Sequence, residues 1–269
     1  AYTQDYAEYS PLMSRFLHKV EVIPPPVEMP PPPPEVLAGF RLMHGLEGRT
    51  IVGICARFAT EKGFEHLIGS IPLLLDDFPD LLVLHAGEFE NVIGAQEYRD
   101  RLRPMLEQYH DHWKPLGVLY DEELAAFFAA CDVTVLPSLN RTESFGFVQI
   151  ESMLNGTPVI ASNLPGVRVP VRKTGMGLIT PIGETRALAD NLATVLRNPE
   201  RFQASRDAVE AQFSPRRSAD AYLALYDELR AAPREVLYLP ALLLTVMGLV
   251  VSLISHGWRA LRRWNAKTH

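Results

Sequence analysis

Between Arg49 and about Leu196, short runs of apolar, mostly branched residues recur, with stretches of helical spacing between them. No other feature of the chain restricts its fold so tightly. The runs are Ile51 to Ile54, Leu81 to His85, Val133 to Leu136, Pro158 to Ala161 and Gly177 to Thr180, and their continuous apolar character predicts strands covered on both faces. A helix is expected over Asp121 to Ala130, capped by Asp121, with Leu124, Phe127, Phe128 and Cys131 at helical spacing. Strand and helix in alternation predict a doubly wound parallel sheet. Such a sheet binds ligands beyond the carboxyl ends of its strands, so the loops after the runs are where chemistry belongs. Pro72, which has no amide to give, is expected to kink or split the helix after Lys62.

The flanks read differently. Residues 1–34 are expected to be the end of a preceding domain and a linker, because Pro24 to Pro26 and Pro30 to Pro34 favour extended backbone. The domain built on the parallel sheet would then cover residues 35–232. Residues 236–255 carry no formal charge over 20 positions, enough as a helix to cross about 30 Å of hydrocarbon. A spanning helix, an interfacial or hairpin helix and a buried helix all suit this run. Residues 256–269 form a basic tail with Arg259, Arg262, Arg263 and Lys267. With 26 basic against 32 acidic residues the net charge is -6, which leaves no basic footprint and excludes nucleic acid as the expected partner. Cys55 and Cys131 each adjoin an apolar run and read as small core residues, in keeping with a reducing compartment. His85, inside an otherwise apolar strand, reads as a core or strand-end residue.

Two clusters could carry chemistry. In the first, Arg57 and Lys62 lie five positions apart, between a strand and a helix. Two cations there could clamp a diphosphate beside free backbone amides, although the same residues suit an ordinary solvated turn. In the second, Glu143 precedes Glu151 by eight positions, and Ser144, Phe145, Gly146 and Phe147 stand at the start of the helix that carries Glu151. Amides at a helix start attract an anion, and Gly146 would let it approach closely. A carboxylate beside such amides makes sense as an acceptor for hydroxyls, such as the vicinal pair of a ribose. Otherwise Glu143 is a helix cap and Glu151 a solvated helix residue.

Together these residues resemble a known family. The segments Ala56-Arg57, Glu61-Lys62-Gly63, Leu116-Gly117, Asp121-Glu122-Glu123-Leu124, Leu136-Pro137-Ser138, Glu143-Ser144-Phe145-Gly146, Glu151 and Gly156-Thr157-Pro158 look like the C-terminal, Rossmann-like domain of family 4 retaining glycosyltransferases of the GT-B fold. The resemblance covers roughly residues 20 to 230. It implies that Arg57 and Lys62 bind the donor diphosphate and Glu151 the ribose, while Glu143 binds hydroxyls of the transferred hexose. It also implies that the loop at Gly117 meets the base and that the amides of Phe145 to Phe147 hold phosphate. Arg57, Lys62 and Glu143 are the catalytic candidates, by front-face displacement with retention; no metal or cofactor is expected beyond the nucleotide diphosphate sugar. The chain is expected to be the donor-binding half, with acceptor contacts from a missing N-terminal domain, anchored to a membrane with its catalytic face towards the cytoplasm. A membrane-tethered binding module without turnover and a nucleotide-sugar 2-epimerase of the same fold are the alternatives. The chain departs from the family at Ala56, at the acidic turn Gly87-Glu88-Phe89-Glu90, and over Val167-Arg168-Val169-Pro170, where the family often has proline and glutamate.

Overall fold

Six parallel strands lie at the centre of the chain, whose computed structural model describes residues 1–231. They are β1 (Thr50–Cys55), β2 (Leu81–Ala86), β3 (Trp113–Gly117), β4 (Val133–Leu136), β5 (Val159–Ser162) and β6 (Gly177–Thr180), in the spatial order β3-β2-β1-β4-β5-β6. Helices α1 to α10 are Gln4–Tyr9, Pro34–His44, Phe64–Ser70, Gln96–Gln108, Asp121–Ala130, Phe147–Leu154, Arg168–Thr174, Thr185–Arg197, Arg206–Phe213 and Pro215–Ala231.

Side chains alternate across the strands and feed two apolar cores. Ile51, Leu82 and Leu84 enter one core with Phe127, Ile150 and Val159. Val52, Ile54, Leu81 and Val83 enter the other with Phe64, Leu67, Leu188 and Leu192. Burial on both faces explains why these strands are apolar throughout. Pro72 falls in a one-turn 3-10 segment, Ile71–Leu73, directly after α3, so the helix is split there.

Three features differ from the sequence-based expectation or add to it. Strand β3 went unread because Lys114 and Pro115 interrupt its apolar pattern; it is an edge strand, where lysine and proline are tolerated because one side needs no ladder. Asp121 does not cap α5. It is already the first helical residue, at φ 47°, and the capping position belongs to Tyr120, without a side-chain hydrogen bond. Residues 1–34 lie in the same compact unit as the sheet, Ala1–Leu223. Residues 20–33 form no helix or strand, yet Ile23, Val27 and Met29 are buried and the Val27 amide donates to Phe213 O at 3.0 Å. The runs 236–255 and 256–269 lie outside the described residues; among the described residues no helix is long and apolar enough to cross a membrane.

Candidate functional site

Strand β1 is where the sheet changes direction: β2 lies on one side of it and β4 on the other. In sheets of this kind ligands bind in the crevice where the strand order reverses, at the carboxyl ends of the two diverging neighbours, here β1 and β4. Both clusters singled out in the sequence sit in the loops leaving these two strands. The Leu139 amide donates to Glu61 O at 2.9 Å, which ties the loops together. Gly63 lets them touch: it has φ 71°, and a β-carbon added to it would lie 2.2 Å from Pro137 O.

Lys62 Nζ donates to Glu143 Oε2 at 2.7 Å, between side chains only 20% and 17% exposed. The first cluster thus meets the second. Arg57 stands apart from that pair. Its side chain is 58% exposed and pairs with Glu61 one helical turn on in its own loop.

Gly146 precedes α6 at φ 80°, where a β-carbon would press on Leu136 and Gln149. Phe145 is buried and Phe147 half-exposed. Among the described residues no hydrogen bond is donated by the amides of Ser144, Phe145, Gly146 or Phe147. Glu151 lies in the second turn of α6, and none of the described side chains donates to its carboxylate. Burial pushes its pKa above the usual carboxylate value. Cys55, the last residue of β1, reports how near these groups are to one another. Burial and then the Glu151 carboxylate push its thiol up to about 12, while Lys62 pulls it down.

Gly117 ends β3 at φ 77° and its carbonyl accepts from the Gly87 amide at 2.7 Å, so it lies at the same end of the sheet, two strands from β1. His85 is fully buried among Phe58, Phe64, Phe89 and Trp113, with Nε2 2.8 Å from Ala56 O. Gln149 was not anticipated. It is fully buried, and its Nε2 donates to Phe145 O at 2.7 Å and Val167 O at 3.0 Å, joining the start of α6 to the loop after β5. A glutamine between Val148 and Ile150 is the signal that could have found it.

The profile of a family described as "Glycosyl transferases group 1" matches residues 43–211, more than half of the chain. A phosphatidyl-myo-inositol mannosyltransferase of Mycobacterium leprae is 33% identical over 151 residues, 56% of this chain and 38% of its own. The chain thus spans well under half the length of that relative. Sucrose-phosphate synthase from Thermosynechococcus elongatus shares the fold at TM-score 0.67 and 26% identity, covering 83% of this chain and 58% of its own. Anabaena HepE, solved in complex with UDP-glucose, matches at TM-score 0.67 and 22% identity over 79% of this chain and 57% of its own.

Proposed function

The chain belongs to the group 1 glycosyl transferases, and from that premise we propose that it is the donor-binding half of a retaining hexosyltransferase that uses a nucleotide diphosphate sugar. The observation that carries this reading is the Lys62–Glu143 pair joined across the β1 and β4 loops, with the Glu151 carboxylate nearby and without a donor. The complex of HepE with UDP-glucose, in the same fold, supports it. So does the mannosyl transfer named for the mycobacterial relative.

In this reading the diphosphate sits over the start of α6, its oxygens receiving the amides of Ser144 to Phe147. Lys62 faces the leaving oxygen. As the bond to the sugar breaks, negative charge grows there, and a cation fixed in advance lowers the barrier without reorganising. Arg57, exposed and lightly held by Glu61, swings in to complete the clamp. Glu143 holds Lys62 and accepts from hydroxyls of the hexose, Glu151 accepts from the ribose, and the loop at Gly117 lies against the base. The acceptor attacks on the face from which the diphosphate departs, so configuration is retained. Its hydroxyl must be held within about 3 to 3.5 Å of the anomeric carbon, which is the task of an N-terminal acceptor domain. The uncharged run 236–255 would hold the enzyme at a membrane with this site on the cytoplasmic side.

Calorimetric titration of the chain with UDP-glucose, GDP-mannose and ADP-glucose tests the reading. One of them should bind, and Arg57→Ala with Lys62→Ala should weaken that sugar nucleotide far more than its free nucleoside. No binding, or equal losses for both ligands, would reject it.

A further inference from the structure

Helix α1 is fastened to the carboxyl end of the sheet by a set of polar contacts that the donor reading leaves unexplained. Asp5 accepts the Gly166 amide at 2.7 Å and the Arg168 guanidinium from Nε at 3.0 Å and Nη2 at 2.6 Å. Both side chains are largely withdrawn from water, at 18% and 12% exposure. Burial works to raise the pKa of Asp5, but the hydrogen bonds from Arg168 and the Gly166 amide outweigh it and hold the carboxyl below its ordinary value. Arg168 also lies over the Tyr9 ring, 5.0 Å from its centroid.

The same short segment grips the neighbouring loop. Arg141 donates to Tyr9 O at 2.9 Å, and Tyr2 meets Phe145 and Phe147 edge-on, at 6.0 and 5.7 Å between ring centroids. Beneath, Gln149 bonds Phe145 O and Val167 O. Gly166 lies so near Ser144 that a β-carbon on it would stand 2.1 Å from Ser144 O. The loops after β4 and β5 are therefore joined into one packed piece, with α1 seated against it.

We propose that the Asp5–Arg168 pair is a clasp that positions the donor site: it fixes the β5 loop, and through it the amides of Ser144 to Phe147, where a diphosphate is received. The proposal rests on the donor reading above. Asp5 and Arg168 are positioning residues, acting through Gly166 and Gln149. A planar fork bound by two nitrogens sets an orientation that a single ammonium does not, so lysine does not replace Arg168. Amides drawn away from the diphosphate lose charge-assisted hydrogen bonds, which are about twice as strong as neutral ones.

The test titrates the full chain and its Asp5→Asn, Arg168→Lys and doubly substituted forms with UDP-glucose, GDP-mannose, uridine and guanosine. It also follows hydrogen exchange over residues 164–168. Each single substitution should weaken the bound sugar nucleotide about 5- to 50-fold and leave the nucleoside unchanged, and the double form should be no worse than the single ones. Exchange should quicken over residues 164–168, where the Gly166 amide is bonded to Asp5 and the Arg168 amide to Leu164 O, and not in β1. Equal losses for nucleoside and sugar nucleotide would assign the pair to general stability and overturn the clasp. A wild type that binds, with variants that bind equally well, overturns the clasp alone. A wild type that takes up neither of these sugar nucleotides, nor ADP-glucose, overturns the donor reading and the clasp with it.

Discussion

Glu151 is a carboxylate partly withdrawn from water and given no donor among the described residues, and burial alone lifts its pKa. Such a group weakens the fold while it is ionised and is relieved when a ligand supplies hydroxyls. Glu151→Ala should therefore weaken sugar-nucleotide binding by about 1 to 3 kcal/mol while leaving stability equal or higher. Calorimetry together with a melting curve checks both halves, and unchanged donor affinity would remove the ribose assignment. His85 makes a different statement. Burial, opposed weakly by its bond to Ala56 O, pushes its pKa from the ordinary 6.5 down to about 4. Below pH 6.5 the unfolded chain takes up a proton that the folded chain refuses until about pH 4, so stability from this residue is full above 6.5 and is lost as pH falls towards 4. Between pH 7 and 5 the loss should be about 2 kcal/mol. Urea unfolding at the two pH values measures it, and in His85→Gln the loss should largely disappear; an unchanged pH dependence would place its origin elsewhere.

Among the elements, the β1 and β4 loops depend on one glycine. Gly63→Ala puts a β-carbon 2.2 Å from a backbone oxygen that no rotamer change can move, at φ 71°. The left-handed conformation alone costs about 1 to 2 kcal/mol, so stability should fall by at least that much. Donor affinity should fall with it, because Lys62 is drawn away from Glu143. A variant with normal stability and affinity would show that the loops need not touch. Much of this level was legible in the sequence. Strands β4 and β6 and helix α5 begin and end where the apolar runs and helical spacing indicated. Strand β3 was hidden because an edge strand tolerates polar and proline residues. At the site, the two loops were legible from their charged residues, but the Lys62–Glu143 contact spans 81 positions and leaves no local pattern. The Arg57–Glu61 pair did have one, the spacing of four. Asp5 and Arg168, 163 positions apart, gave no sign of each other.

At the level of the molecule, the sheet and the donor-side groups all fall within Ala1–Leu223, while the uncharged run lies beyond. On the proposal that residues 236–255 hold the chain at a membrane, deleting everything after Arg234 should free it from membranes and leave sugar-nucleotide affinity unchanged. Fractionation and calorimetry on the same sample decide this, and a truncated chain that still sediments with membranes would move the anchor elsewhere. The adjacency of β1 and β4 has one more consequence, in the order of folding. Strands β2 and β3 and helices α3, α4 and α5 intervene in sequence between the two central neighbours, so their pairing closes a long loop and comes late. Until it closes, Lys62 has no Glu143. A partly folded chain that has joined β1 only to β2 holds the cations of the crevice without its carboxylates, and sugar-nucleotide uptake during refolding should lag behind helix formation. A sugar nucleotide held by both loops would then bind only the finished sheet, and through mass action it would stabilise the whole unit rather than the loops that touch it.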